Sequence, residues 1–599
     1  MIYHCEDHTC NYWDEGEKLP ERCPQCGRKL LRANEADMTG DDWTALGNTL
    51  WDAEASDKKR MVDCFRKAAY LGSAWGVCNL GICMEQGNGV EADPVQAFWL
   101  YQQAVEMGSL NAVCCLGVCY QYGIGTAPDA EKAAELYCKA AEYGSPRGQM
   151  LLARAFHDGI GVEADAAEAV HWVRAAAYQR YGEGMHRLGV CYEYGDGVEQ
   201  NWERAVHWFR EAAESGVSVA MADLGYCYEK GCGVEQSWEQ AFSWYRRGAE
   251  CGYPVSMSNL GLCYKRGYGV EQNWQEAIKW YEQGAQCGDL QSMHNLACCY
   301  ERGEGVEQNE ERALYWYRRS AEGGNGSAMC NLGRCYKMGH GVEQNWQEAA
   351  KWYEQGAQCG NLQSMHNLAC CYEHGEGVEQ NMTEAIRWYT AAAEGGNADA
   401  MHDLGWHYDH GEGVEQDMKK AICWYERAAE QNHPAAMNSL GECYAMGRGV
   451  PRDLETAMEW YRRAAELGEA MADYNMGWHL EQAGKLSEAY AHYRKAADGN
   501  DDSAWWALGR FYENGVVVAQ DGKEARRCYE TGEKLGSVKC KMRLARCKLL
   551  GIGDRREKKA GLDLCRQALE LAKESSEKED YGYEAEMNLL RRTIAENES

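Results

Sequence analysis

Residues 293–309 read MHNLACCYERGEGVEQN and residues 365–381 read MHNLACCYEHGEGVEQN, differing only where Arg302 faces His374. The copies lie 72 residues apart. Self-similarity at a fixed distance marks a chain assembled from one structural unit, and it decides the fold class before any single element is read. Smaller copies occur at half that distance. The glycine of a Gly-Val pair recurs from Gly89 through Gly125 and Gly161 to Gly449, always 36 residues on, with Thr126 the one replacement for Val. The 72-residue echo is therefore two repeat lengths. Irregular neighbours extend the array, because Leu46-Gly47 leads the next Leu-Gly pair by 34 residues and Gly477 leads Gly509 by 32.

One unit displays the local physics. From Val255 the chain reads VSMSNLGLCYKRG, where Met257, Leu260, Gly261 and Tyr264 share helical spacing and predict a first helix of about three turns. Gly267 ends it, since glycine takes the left-handed conformation that closes a helix, and Val270 is placed to fold back onto the cap. In NWQEAIKWYEQGAQCG, Asn273 reads as an N-cap, with Glu276 three residues on completing a capping box. Ala277, Trp280, Tyr281 and Ala285 then give a second helix its apolar face. Such a hairpin cannot bury that face alone, so units must stack. The expected fold is all-α, an α/α superhelical solenoid of about fifteen hairpins and about 31 helices.

The pattern LGxCYxxGxGVExxxxxAxxWYxxAAExG at a 36-residue period resembles the Sel1-like repeat, a relative of the tetratricopeptide repeat, over roughly residues 41 to 575. The resemblance implies a right-handed superhelix and a protein-interaction or scaffolding role. It implies no substrate. The array is expected over residues 41–577. Residues 578–599, containing AEMNLLRRTIAENES, are expected to form a C-terminal capping helix.

With 93 Asp and Glu against 62 Lys and Arg, the chain carries a formal charge of −31. Nucleic acids bind through clustered Lys and Arg, so they are not expected partners; a neutral or basic protein or peptide is. No apolar run approaches the roughly 20 residues of a membrane helix, and the opening MIYHCEDHTC has no secretory pattern. A cytoplasmic, reducing setting is therefore expected, and in it the 30 cysteines stay free or bind metal.

Cysteine fills one slot of the first helix at Cys83, Cys119, Cys191, Cys227, Cys263, Cys299, Cys335, Cys371 and Cys443. Packed helix axes lie about 8–10 Å apart, whereas a disulfide needs Cα atoms within roughly 7 Å. The row therefore reads as small, soft core residues. The tryptophans at Trp172, Trp208, Trp244 and their successors to Trp460 read as core in the same way. The preceding slot differs, holding Val118, Val190, Tyr226, Leu262, Cys298, Arg334, Cys370, Trp406 and Glu442. No packed core accepts that range of size and charge, so the slot is expected to face a groove. Cys298 and Cys370 are then exposed thiols without a nucleophile signature.

Two further rows share this helix. His294, Cys330, His366 and His402 occupy one phase of four consecutive units; imidazole with thiolate is zinc chemistry, while a polar groove lining is the ordinary reading. Asn79, Asp223, Asn259, Asn295, Asn331, Asn367, Asp403 and Asn475 occupy the next phase. An amide both donates and accepts, so such a row suits the backbone of an extended chain, although it equally suits ties between adjacent units. The expected function is a non-enzymatic scaffold holding a protein or extended peptide on the concave face. Asn259, Asn295, Asn331, Asn367 and Asp403 would meet its backbone, and Tyr226, Arg334 and Trp406 would anchor its side chains. No phosphate loop, HExxH or nucleophile elbow is present, and no catalytic residue is assigned. The alternative is a hydrolase of the same repeat family with one pocket in the groove, which would show polar residues that break the repeat.

Residues 1–36 stand apart. Cys5, Cys10, Cys23 and Cys26 include the knuckle Cys-Pro-Gln-Cys-Gly, which presents two thiolates from one turn. The segment has little apolar content and needs a metal to fold, and four thiolates make a closed structural Zn²⁺ site. It resembles a rubredoxin-like zinc ribbon, although C-x4-C is looser than the usual C-x2-C, and His4 and His8 are the substitute ligands.

Overall fold

The structure is a computed structural model that describes residues 2–5, 13–15, 30–33, 35–51, 55–555, 557–578 and 584–598. Cys10, Cys23, Cys26 and the side chain of Cys5 lie outside the described residues. The chain divides into two compact units, residues 1–308 and 309–599. Among the described residues there are 31 α-helices, in agreement with the count expected from the period.

Within each of these two units the repeats are hairpins of two helices, here the A helix and the B helix. In the repeat at 254–289 these are Pro254–Arg266 and Trp274–Gln286. Within each unit an A helix packs on its own B helix, and each B helix packs on the A helix of the next repeat. Gly267 closes the A helix at φ 74°, its N–H donating to the Cys263 carbonyl at 2.8 Å. Asn273 caps the B helix by accepting from the Glu276 N–H at 3.1 Å, but the Glu276 carboxylate turns to Lys279 at 3.3 Å, so the expected box is one-sided. A feature of the loop not legible as a cap signal is Gln272. It donates to the Lys265 carbonyl at 2.7 Å and satisfies an orphan group of the preceding A helix. The same Gln contact, seven residues back, recurs at Gln200, Gln236, Gln344 and Gln380.

Packing explains the glycines that set the period. A Cβ on Gly269 would sit 2.1 Å from the Trp238 carbonyl oxygen, so this residue lets one repeat's loop touch the B-helix start of the repeat before it. A Cβ on Gly261 would sit 2.5 Å from the Tyr281 ring, so this glycine seats the B helix's aromatic against the A helix. That ring, and its equivalents from Tyr101 to Tyr529, is fully buried. The deepest row is therefore tyrosine, with Val173 and Phe209 replacing it in two successive repeats. The tryptophans expected in the core are mostly half-buried, and Trp244, Trp424 and Trp460 are covered by Arg247, Arg427 and Arg463 at 4.2–4.4 Å from their rings. The cysteine row is core as read: Cys83, Cys119, Cys263 and Cys371 are buried, and burial pushes the Cys83 thiol up to about 11.

At the amino end a three-stranded antiparallel sheet places Ile2–Cys5 between Trp13–Glu15 and Leu30–Ala33. The strand Trp13–Glu15 lies against the helix Gly40–Thr49, which buries Trp43. At the other end, helix Glu584–Glu598 sets Met587 and Leu590 against Cys565, Ala568 and Ala572 of helix Lys558–Lys578. Among the described residues no helix is long and apolar enough to cross a membrane.

Candidate functional site

The A helix has two working faces. In Leu362–His374, Leu368, Ala369 and Cys371 are buried, while His366, Asn367 and Cys370 are half-buried, with His366 and Cys370 at the edge of the B-helix ring of Tyr389. The same rotation recurs in the other repeats. The variable slot therefore does reach solvent: Tyr226 is 45% and Leu262 37% exposed, and Arg334 and Trp406 are partly exposed. Lys230 lies 5.9 Å from the Tyr226 ring, and His410 stacks on Trp406 at 4.3 Å.

The polar rows on this face bond to each other across neighbouring repeats. The rule is residue n with residue n+37, as in His186 with Asp223 at 2.7 Å, Ser258 with Asn295 at 3.5 Å and Asn438 with Asn475 at 3.0 Å. Cys330 with Asn367 at 3.5 Å and His402 with Ser439 at 3.5 Å follow it too. Asn295 and Asn367 also accept from Gln291 at 3.0 Å and Gln363 at 3.4 Å. Part of their hydrogen-bonding capacity thus belongs to the frame. Asn259 and Asn331 are half-buried in the same row.

One place on this face concentrates chemistry. His366 Nε2 lies 2.9 Å from Asp403 Oδ2 of the next repeat and 3.8 Å from Cys370 Sγ one turn along its own helix. One ligand atom from each of the three lies within 4.8 Å of the others, and this is the one such grouping of His, Cys, Asp and Glu among the described residues. His402 Nδ1 holds the second Asp403 oxygen at 3.1 Å, and the Tyr389 hydroxyl lies 3.2 Å from Cys370 Sγ and donates to Glu373 at 2.6 Å. Burial opposes charge on His366, but the hydrogen bonds to Asp403 and Cys370 outweigh it and raise the ring to about 10. Burial likewise pushes Asp403 up, but the contacts from His366 and His402 prevail and hold the carboxyl below its usual range. The earlier copy keeps His294 and Cys298 at 3.8 Å but has Asn331 at position n+37. There burial leads, and the imidazole is lowered.

The sequence profile of the Sel1 repeat matches thirteen consecutive segments between residues 76 and 537. The chain belongs to the Sel1 repeat family. Among solved structures, c5321, a protective antigen present in uropathogenic Escherichia coli strains and displaying an SLR fold, is 32% identical. That match covers 75% of this chain and 97% of c5321, with a TM-score of 0.52. A Sel1 repeat protein from Oxalobacter formigenes is 31% identical over 41% of this chain and 96% of its own, with a TM-score of 0.37. Comparison with curated proteins gave no match.

Against the Sel1 repeat frame, what sequence reading missed becomes plain. Of the row His294, Cys330, His366 and His402, only His366 joins the grouping, because equivalent positions 36 residues apart are not the ones that meet. The available signal was His-x-x-x-Cys followed by Asp at n+37. A second irregular place is a cleft of about 340 Å³ between the Sel1 repeats at 146–181 and 182–217. Its polar groups are mutually paired: His157 meets Asp158 at 2.7 Å and Asp196 at 3.2 Å, and Arg154 meets Asp158 at 3.3 Å. The thiol in its lining, Cys191, is pushed up to about 11 by burial, the opposite of an activated nucleophile.

Proposed function

We propose that this Sel1 repeat chain is a non-enzymatic scaffold that binds a protein or an extended peptide along the face its A helices present. One observation carries the reading: a constant frame offers a different, partly exposed side chain in each repeat at one fixed position, with Tyr226, Arg334 and Trp406 among them. Aromatic and Arg side chains in that setting are the usual anchors of an interface. Helical repeats of this kind generally serve as protein-interaction scaffolds. The charge of −31 favours a neutral or basic partner and an association that weakens with salt. Asn259, Asn295, Asn331, Asn367 and Asp403 border the same face. Captured partners should be lost by a Tyr226→Ala, Arg334→Ala, Trp406→Ala variant that keeps its helical circular dichroism. Full retention by that variant sinks the proposal, and retention by an Asn295→Ala, Asn331→Ala, Asn367→Ala variant assigns the amides to the frame alone.

The hydrolase reading rests on the cleft at His157, whose polar lining departs from the repeat. It requires a hydrolytic activity of the full chain that His157→Ala abolishes.

We also propose that Cys5, Cys10, Cys23 and Cys26 hold one structural Zn²⁺ in a reducing, cytoplasmic setting. The Cys-Pro-Gln-Cys-Gly knuckle supports it, as does the short sheet that ends its central strand at Cys5. Replacing Cys23 and Cys26 by Ser should remove one zinc equivalent and leave the repeat helices intact, because solenoid units depend on their neighbours.

A further inference from the structure

We propose that His366, Cys370 and Asp403 form a second metal site, taking one divalent cation of the zinc class on the A-helix face. The ligand set is imidazole, thiolate and carboxylate, the three donor types zinc accepts, and its mixed softness disfavours calcium or magnesium.

The alternative use of the same residues is a Cys-His-Asp relay, and the geometry rejects it. A relay threads a proton through opposite nitrogens of one imidazole, the carboxylate on one side and the nucleophile on the other. Here Asp403 Oδ2 and Cys370 Sγ both face Nε2, at 2.9 and 3.8 Å, while Nδ1 faces the Gln363 amide at 3.3 Å. Three donors converging on one point describe coordination. Tetrahedral zinc sets N and S about 3.6 Å apart and N and O about 3.4 Å apart, given bond lengths near 2.0–2.3 Å. The His366–Asp403 and His366–Cys370 pairs, at 2.9 and 3.8 Å, lie close to those spacings, and Cys370 and Asp403 offer ligand atoms within 4.8 Å of each other.

Outer contacts complete the arrangement. His402 Nδ1 holds the far oxygen of Asp403 and so aims the near one; the Tyr389 hydroxyl stands beside the sulfur. Gln363 is exposed; its amide nitrogen faces His366 Nδ1 at 3.3 Å and its oxygen accepts from Asn397 at 3.1 Å, so metal on Nε2 would require this amide to turn over and give Nδ1 an acceptor. Three protein donors leave one tetrahedral position for water or for a donor atom of a bound molecule.

The chain contains its own controls. His186 and Asp223 form the same pair at 2.7 Å, but Val190 fills the thiol slot. His294 and Cys298 repeat the other half, and Asn331 fills the carboxylate slot. His402 is followed by Trp406 and Ser439 in those slots. Across the 36-residue period, the full set occurs once.

The test uses the full chain, reduced, stripped by chelator and titrated with Zn²⁺ against a chromophoric chelator. A background in which Cys5, Cys10, Cys23 and Cys26 are all Ser removes the amino-terminal thiolates from the count. In that background one equivalent should bind, and Cys370→Ala or Asp403→Asn should weaken it at least about tenfold. Cys298→Ala should leave it unchanged. Co²⁺ in place of Zn²⁺ should show a thiolate charge-transfer band that Cys370→Ala abolishes. Asp403→Asn keeps the shape of the side chain and guards against a folding artefact, checked by unchanged helical circular dichroism. Equal titrations of the background chain and both site variants would overturn the site, as would equal losses in Cys298→Ala and Cys370→Ala.

Discussion

Two histidine–aspartate bridges sit in the two units of this molecule and share almost everything. His186 meets Asp223 at 2.7 Å, and His366 meets Asp403 at 2.9 Å, each across 37 residues. Each imidazole rests on the buried B-helix ring of its own repeat, Phe209 at 5.8 Å and Tyr389 at 5.7 Å. The differences include a methyl pair against a thiol, Val190 against Cys370, a hydroxyl absent from Phe209 but present on Tyr389, and Ala222 where the second bridge has His402 bonded to its carboxylate. The repeat frame therefore supplies the geometry of pairing everywhere, and one or two slots supply the chemistry. A solenoid acquires a site by substitution into a position whose neighbours are already placed.

The comparison breaks most visibly at the shared ring. Phe209→Ala and Tyr389→Ala should each cost about 3–5 kcal/mol, since both remove a fully buried aromatic. Long repeat arrays lose two-state behaviour, so amide exchange of the flanking helices is the measure rather than a single melt. A cost confined to one of the two would show that the repeats do not share a packing scheme. Next come the carboxylates. Asp223→Asn and Asp403→Asn should cost about 1–2 kcal/mol each, with Asp403 the larger because His402 also bonds to it.

A carboxylate with no histidine sharpens the point. Asp501 caps the helix Asp502–Asn514, and burial raises it from 3.8 to about 6. Above pH 3.8 the folded chain then holds more protons than the unfolded chain, so this group's contribution falls as pH rises and levels off above about 6. Asp501→Asn should therefore stabilise the flanking helices by about 1–2 kcal/mol at pH 7 and by nothing near pH 3, read by amide exchange or urea titration at both values. Tyr389→Phe, which gives the second bridge the ring of the first, should cost about 1 kcal/mol through the lost bond to Glu373. The smallest effect on stability, under about 1 kcal/mol, is expected for Val190→Cys. It should nonetheless confer a new Zn²⁺ equivalent on the first bridge, and its failure to do so would show that the frame alone does not place a third donor.

What the sequence determined by itself is whatever depends on near neighbours. The 36-residue period, the two helices per unit, the glycine caps such as Gly267 and the buried cysteine row all follow from local spacing, and each stands in the structure where it was read. Tertiary structure decided the rest. In the Trp-Tyr pair, both rings lie near the apolar stripe, and only the approach of the A helix to Gly261 selects Tyr281 for the interior and leaves Trp280 at the margin. In the same way, sequence comparison aligns residues 36 apart, whereas stacked A helices are offset so that residues 37 apart meet. That one-residue slip comes from how the hairpins rotate and rise against one another, and it brings His366 to Asp403 instead of to His402.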